Sequence, residues 1–383
     1  MQGIIVLDRN VLLTRKGSDE DFAVTGDLDV FGNLQIQGFR GQQYLIDGGW
    51  GPTTPSEVDL GDRIFHAFPG STLRFTDLSI GGGRVVSMAS AFSSFGGSIL
   101  NDSASLDMDH VQLRGSQSNR GGAVYSRSGK VNFKGSSVVD SRASKGGAFY
   151  LESGSLTVSN STVTRNAADA GGGVYLSTGS LIVNDHSHLN ENFASLSGLA
   201  YGVGGAIYNA TGSVVISGKT ELRGNYLWNG WHGSAIANYG QMLIEDGSDV
   251  SANGAYMSNP TGSGGPDDAG IWDTHANALA AVYNDGIMNV VDSTISDNSV
   301  GGVLNDSGEE TKGHAQHYTS LASRLLVLSS FLEPQKNKSS LNAKMQSATT
   351  LSDPHFEDVE AHRNVRAFWH SMLNLLSQVT TSV

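Results

Sequence analysis

The chain has 383 residues and a formal net charge of −13, from 37 acidic and 24 basic side chains. This acidic balance argues against a nucleic-acid partner, because binding to phosphates needs clustered Lys and Arg. The absence of Cys excludes disulfides and thiol chemistry, and the absence of an 18-residue apolar run argues against a transmembrane helix.

The N-terminal part of the chain contains short apolar runs. Residues 1–7 are largely apolar but have neither the charged region nor the cleavage site of a signal peptide, so either that segment is missing or secretion does not use it. The runs at 28–30, 34–36 and 73–75 have the length and composition of strands. We interpret these three runs as early, divergent copies of the repeat that follows.

From residue 96 the sequence repeats with a period of 25 residues. A Gly-Gly or Gly-Gly-Gly segment followed by apolar or aromatic residues begins at each of Gly96, Gly121, Gly146 and Gly171. Two further aliphatic runs follow in each copy, and the second of these falls around Leu113, Val138, Val163 and His188. Gly, Ser, Asn and Asp separate the runs, as is typical of short strands joined by turns. A period of this length indicates a solenoid built by stacking one unit.

Three short strands per repeat fit a coil that lies about 4.8 Å above the previous coil, so that equivalent strands form three parallel sheets. The sequence therefore predicts an all-β fold, a right-handed parallel β-helix over residues 1–330, with the most regular coils at 96–305. The Gly-Gly motif continues, with looser spacing, from Gly204, Gly233, Ala280 and Gly301.

A second motif consists of an aliphatic residue, two variable positions and Asn. Its Asn residues are Asn166, Asn192, Asn225, Asn253 and Asn298. Asn adopts left-handed backbone readily and hydrogen-bonds nearby main chain, so we expect these residues to stack at one corner of the coil.

The alternation of Gly-Gly-Ala-[Ile/Val] with the Asn motif, over roughly residues 96–305, resembles the repeats of the chlamydial polymorphic outer membrane protein family. Here Val, Leu or Ile stands where the family has Phe. The resemblance implies a right-handed β-helix of the pectin-lyase-like kind. It also implies a surface protein, since such repeats occur in adhesins and in the passengers of autotransporters.

Tyrosines recur four residues after the first Gly of the motif, beside an inward-pointing apolar position. They are Tyr125, Tyr150, Tyr175, Tyr208 and Tyr283, with Leu100 at the equivalent place in the first regular repeat. Alternation along a strand predicts a tyrosine column on the outer face. The column either stacks for stability, which we favour, or forms a strip that binds a ligand.

Insertions lengthen the repeat after Asn192, Asn225 and Asn253. Because all three leave the coil at the same corner, we expect them to build one wall. Aromatic rings beside polar groups suit the apolar faces of sugars and the hot spots of protein interfaces. The alternative is that these rings fold back and seal the coil. The predicted ligand-binding residues are Tyr201, Tyr226, Trp228, Trp231, His232, Tyr256 and Trp272.

Acidic clusters are the candidates for catalysis or metal binding. Asp267, Asp268, Asp273 and His275 share the long insertion with the aromatic residues, and are weak candidates for acid/base roles. Asp107 and Asp109 alternate along one strand and are weak metal candidates, because two carboxylates fall short of the six to eight oxygens that Ca²⁺ prefers. The sequence assigns no catalytic residue, no metal ligand and no cofactor.

The repeat fades after residue 306. The composition of residues 331–356 predicts a polar linker. The pattern of residues 357–383 predicts an amphipathic helix whose apolar face includes Phe368, Trp369 and Leu376. We expect this helix to cap the last coil, because a solenoid must cover its terminal strands. The alternative is a helix that docks on a partner or on a membrane surface.

The preferred functional hypothesis is an extracellular or cell-surface binding and adhesion module that recognises a glycan or protein ligand through the aromatic edge. A polysaccharide lyase or glycoside hydrolase of the pectate-lyase-like type is the first alternative, although an enzyme is the less favoured reading. A structural assembly subunit is the second alternative.

Overall fold

A computed structural model describes residues 2–14, 26–51, 61–85, 94–195, 202–228, 232–256, 280–306, 309–312 and 318–320. All of them belong to one compact unit, Met1–Leu326. Apart from one 3-10 turn at Phe39–Gly41, the regular structure of these ranges is β-strand. The predicted linker at 331–356 and the predicted helix at 357–383 lie outside the described residues.

The strands stack as a parallel β-solenoid. Each strand pairs in parallel with its equivalent in the neighbouring coil, as Phe149–Leu151 does with Val174–Leu176. The first ladder follows the Gly-Gly motif. It contains Leu28–Val30, Phe65–Ala67, the start of Ile99–Arg114, the start of Val124–Lys134, Phe149–Leu151, Val174–Leu176, Ile207–Asn209, Ile236–Asn238, Ala280–Asn284 and Gly301–Asn305.

Two more ladders complete the predicted three. The second contains Gln2–Leu7, Asn33–Gly38, the start of Thr72–Gly81, the middle of Ile99–Arg114, the end of Val124–Lys134, Ser155–Ser159, Ser180–Asn184, Ser213–Ile216, Gln241–Ile244, Ile287–Val290 and Glu309–Lys312. The third contains Val11–Leu12, Tyr44–Asp47, the ends of Thr72–Gly81 and Ile99–Arg114, Ser137–Val139, Thr162–Thr164, His188–Asn190, Glu221–Arg223, Asp249–Ser251, Thr294–Asn298 and Tyr318–Ser320.

The core lies inside the coils and follows from strand alternation. In Ser155–Ser159 the side chains of Leu156 and Val158 are fully buried, while the three polar residues between and beside them face outward. The apolar position of the Gly-Gly motif is buried from Ile99 to Val282, as at Val124, Phe149 and Val174, and is partly buried at Val303. The runs at 28–30, 34–36 and 73–75 are strands of the first two ladders, as predicted.

The prediction of three strands per coil is incomplete. A fourth, separate ladder follows the Asn motif and consists of Ala167–Ala168, Phe193–Ala194, Tyr226–Trp228 and Gly254–Tyr256. Its strands have two or three residues, which is too short for hydrophobic alternation to reveal them.

The third run of the fourth regular repeat is also shifted from its predicted position. His188 pairs with Thr162, so Leu189, rather than His188, occupies the buried position beside Val163. The additional residue lies in the preceding turn, where Asp185 and His186 both have positive φ.

Glycine is required where coils approach each other closely. A Cβ on Gly122 would lie 2.1 Å from the carbonyl oxygen of Gly147 in the next coil. Its neighbour Gly121 has φ +64, a backbone conformation that side chains with a Cβ rarely adopt. The motif is therefore set by the tight corner at which each coil begins.

Across the described ranges, no helix is both long and apolar enough to cross a membrane.

Candidate ligand-binding edge

The fourth ladder presents an aromatic surface. Phe193, Tyr226 and Trp228 alternate with the buried residues Ala194 and Leu227, and all three aromatic side chains are partly exposed. The rings of Phe193 and Tyr226 lie side by side, with centroids 4.8 Å apart and planes inclined by 43°. We call these three residues the aromatic edge.

A ladder of buried Asn side chains fixes the backbone immediately before the aromatic edge. The Nδ2 of Asn192 donates to Asn225 Oδ1 at 3.1 Å and to the Val163 carbonyl at 2.9 Å. Asn225 in turn donates to Asn253 Oδ1 at 3.0 Å. The same contacts run from Asn166 to Asn298, and all five residues of the motif are fully buried. The prediction that these Asn residues stack at one corner is confirmed.

The insertions leave the coil directly after the fourth ladder. Residues 196–201, 229–231 and 257–279 lie outside the described part of the chain, and with them Tyr201, Trp231 and Trp272. The backbone of Tyr256 pairs with Trp228 in the fourth ladder, although its side chain is not described. The structure thus brings Tyr226, Trp228 and the backbone of Tyr256 to one edge.

His232 has a different environment, at the place where the chain re-enters the coil. Its ring stacks on that of Tyr283, with centroids 3.7 Å apart and planes inclined by 3°. Its Nδ1 forms a hydrogen bond with the hydroxyl of Tyr239 at 2.9 Å. Burial lowers the pKa of His232, which favours the neutral imidazole. The structure therefore places His232 with the tyrosine column.

The tyrosine column forms as predicted from Tyr125 to Tyr208 and is largely covered, whereas Ala237 separates Tyr208 from Tyr283 in the register. Tyr125, Tyr150, Tyr175 and Tyr208 stack in sequence, with centroids 5.2, 4.9 and 4.7 Å apart. The first three rings are at most 8% exposed. The guanidinium of Arg120 lies 5.4 Å from the ring centroid of Tyr150, so a cation covers part of the column. These contacts favour the stabilising interpretation over a ligand-binding strip.

Two of the acidic candidates, Asp107 and Asp109, lie on a described strand. Asp107 accepts a hydrogen bond from Asn132 Nδ2 at 2.5 Å and lies 3.4 Å from Arg74 Nη2. Asp109 lies 3.1 Å from Nδ1 of the exposed His110. Both carboxylates thus contact neighbouring side chains on the outer face of the second ladder.

The catalytic candidates lie in the long insertion. Asp267, Asp268, Asp273 and His275 all fall outside the described residues, and their proposed acid/base roles stay a prediction.

Sequence reasoning missed Phe193. The signal was present, because an aromatic residue directly follows the motif Asn at both Phe193 and Tyr226. The equivalent positions after the other three motif Asn residues carry Ala167, Gly254 and Ser299, so only two of the five repeats show it.

Comparisons with known proteins return no relative. No family model, no curated protein and no solved structure matches the chain. The resemblance to the polymorphic outer membrane protein repeats therefore stays an expectation. The assignment of function depends on the geometry of the aromatic edge.

Proposed function

We propose that the chain is a binding module that recognises a glycan through the aromatic edge. The observation that carries this proposal is the alignment of Phe193, Tyr226 and Trp228 on the outward face of the fourth ladder. An aromatic ring offers a flat apolar face to the C–H groups of a sugar ring, and the indole N–H of Trp adds a hydrogen-bond donor.

The scaffold supports binding because it orders the rings in advance. The Asn ladder holds the backbone before Phe193 and Tyr226, and each of those residues is paired within the fourth ladder. A surface that is already ordered loses less conformational entropy when a ligand binds. Function in repeat proteins also tends to concentrate in insertions on one face, and three insertions begin at this edge.

The proposal includes three finer features that the sequence motifs suggest. The solenoid is a right-handed parallel β-helix, because a strand joined to the next parallel strand by one coil follows the usual right-handed crossover. The chain belongs with surface proteins that carry polymorphic outer membrane protein repeats. It acts outside the cell or at the cell surface, where such a module meets its ligand.

A glycan array probed with the full chain tests the function. We expect one or a few related glycans to be retained, and the Trp228→Ala variant to bind them at least about 30-fold more weakly, as for a binding hot spot. Phe39→Ala is the matched control, because Phe39 is an exposed aromatic residue on a 3-10 turn outside the edge. Its affinity should equal that of the wild type, and both variants should keep the far-UV spectrum.

The alternatives give different results in the same experiment. A reducing-sugar and unsaturated-product assay on the retained glycans detects a lyase or hydrolase, and Asp268→Asn should then abolish turnover. A chain that retains no glycan but captures a purified surface protein through Trp228 is a protein-binding adhesin. Equal binding by wild type and Trp228→Ala contradicts the role of the aromatic edge.

A further inference from the structure

The first two strands of the first ladder carry a cluster of charged residues. The strands Leu28–Val30 and Phe65–Ala67 pair in parallel, and their register places Asp29 beside His66. Asp27 lies just before the first of these strands. One ligand atom from each of Asp27, Asp29 and His66 lies within 4.8 Å of the other two, and His66 Nδ1 is 3.7 Å from Asp29 Oδ1.

These side chains are removed from solvent. Asp27 is 2% exposed, His66 is 7% exposed, and the side chain of Asp29 is fully buried. Burying ionised carboxylates is costly unless cations or hydrogen bonds compensate for the lost hydration. The cluster therefore differs from the exposed pair formed by Asp109 and His110 on the second ladder.

Arg63 compensates for part of this charge. Its Nη1 donates to Asp27 Oδ2 at 3.2 Å, and its backbone N–H donates to Asp62 Oδ1 at 2.8 Å. When ionised, the carboxylates of Asp27, Asp29 and Asp62 outnumber this guanidinium by two charges.

One oxygen of the cluster is available to an ion. Asp27 Oδ1 is buried and receives no hydrogen bond from any residue in the described part of the chain. Its partner oxygen is held by Arg63, as ligating carboxylates are often held by a second hydrogen bond.

The ring of His66 is held in position. It stacks on Phe68, with centroids 3.8 Å apart. The parallel pairing of Phe65–Ala67 with Leu28–Val30 sets the ring beside Asp29. An ordered imidazole beside buried carboxylates is a ligand that suits a transition-metal ion.

We propose that Asp27, Asp29 and His66 bind one divalent transition-metal ion, with Zn²⁺ as the best fit. Zn²⁺ accepts imidazole nitrogen and carboxylate oxygen at about 2.0–2.1 Å, which places tetrahedral ligands about 3.4 Å apart. The 3.7 Å between His66 Nδ1 and Asp29 Oδ1 is close to that spacing. The imidazole argues against Ca²⁺ and Mg²⁺, which prefer oxygen ligands.

The ion connects two consecutive coils near the first described strands. Leu28 is 39% exposed and Phe31 is 62% exposed, so apolar burial is incomplete in this part of the solenoid. A metal that links the strand of Asp29 to the strand of His66 adds to the apolar contacts between the two coils, such as the stacked rings of Phe31 and Phe68. The role of the ion is therefore structural, and it is independent of the glycan-binding proposal.

Isothermal titration of the chelator-treated full chain with Zn²⁺ tests the site. We expect one ion per chain with a Kd of about 10 µM or tighter, and a rise in Tm on addition of Zn²⁺. His66→Gln and Asp29→Asn should each weaken Zn²⁺ binding at least about 100-fold. Loss of a residue that only hydrogen-bonds to a metal ligand already costs up to about 100-fold, and loss of a ligand itself should cost at least as much. His110→Ala is the matched control, because His110 also lies beside an Asp but is exposed, and its Kd should equal that of the wild type.

Hydrogen exchange of the wild-type chain is a second measurement of Zn²⁺ binding, and it needs no variant. Zn²⁺ should slow exchange in the segments around 26–30 and 61–68 and leave the coils at 146–195 unchanged. Slowing elsewhere, no change anywhere, an absent titration signal, or variants that bind as tightly as the wild type each overturn the proposal.

Discussion

A buried Asn serves two purposes at the corner that precedes the fourth ladder. The amide of Asn225 donates to the Leu189 carbonyl of the previous coil, and its Oδ1 accepts from the backbone N–H of Asn192. Each side chain therefore satisfies main-chain groups that the corner leaves without a ladder partner. Ser141 occupies the equivalent position one coil before Asn166, where its single hydroxyl accepts from the Ser116 backbone N–H at 3.4 Å.

Replacing Asn192 by Ala should destabilise the chain by about 3 kcal/mol. The variant leaves the buried Val163 carbonyl and the Asn166 backbone N–H without their amide partner, and each loss costs about 1–3 kcal/mol. Urea-induced unfolding followed by circular dichroism measures the change. The exposed amide of Gln241 on the second ladder provides the control, since Gln241→Ala should stay within about 0.5 kcal/mol of wild type. Similar losses in both variants would contradict a special role for the Asn ladder.

At the scale of the strands, one column of outward-facing side chains in the first ladder changes from charged to aromatic along the solenoid. Register places Asp29, His66, Leu100 and Tyr125 at equivalent positions in four successive coils, and the stacked tyrosines follow. The same strand position of the first ladder thus holds a charged cluster at one end of the ladder and an aromatic stack in its middle. The aromatic part forms its own apolar cluster, separate from the core inside the coils.

The tyrosine column predicts a loss of stability in alkali. Burial raises the pKa of Tyr175 to about 12 in the folded chain, against about 10 when unfolded. The folded state therefore keeps a proton that the unfolded state releases, and this contribution is full below pH 10 and is lost as pH rises through 12. Tyr175→Phe removes the group, so its free energy of unfolding should fall less than that of wild type between pH 10 and 12. Denaturant titrations between pH 10 and 12 measure the free energy of unfolding of both chains. An equal fall with pH in wild type and Tyr175→Phe would contradict the prediction.

Much of this architecture could be predicted from sequence because the inward residues repeat. The buried column containing Val124, Phe149 and Val174 recurs every 25 residues, and its neighbours follow from strand alternation. The fourth ladder could not be predicted, since a strand such as Ala167–Ala168 has no alternation to detect. Trp228 could be placed near the insertions but not on a strand.

The charged cluster was also hidden from sequence analysis. Asp29 and His66 lie in early coils of unequal length, with no recurring motif between them. Only strand register places them side by side, and register in divergent repeats depends on turns that the pattern does not define.

At the scale of the whole Met1–Leu326 unit, each described strand pairs with its equivalents in the adjoining coils. Parallel pairing always joins a strand to its equivalents in the adjoining coils, as Val124 pairs with Ile99 and Phe149. Stability in such a chain is close to a sum of coil terms and nearest-neighbour interface terms. A local disturbance should therefore decay over a few coils instead of spreading evenly.

Gly122→Ala tests this behaviour because its closest clash is with the next coil. The added Cβ would meet the Gly147 carbonyl oxygen at 2.1 Å and the Arg142 backbone nitrogen at 2.7 Å, and neither main-chain group can move without separating two coils. We expect faster hydrogen exchange around residues 122–126 and 147–151, a smaller increase one coil away, and unchanged exchange at Ile287–Val290. Gly32→Ala is the control, because nothing lies within 4 Å of a Cβ added there. A uniform increase in exchange along the chain would show that the unit unfolds as one cooperative block, and would contradict nearest-neighbour coupling.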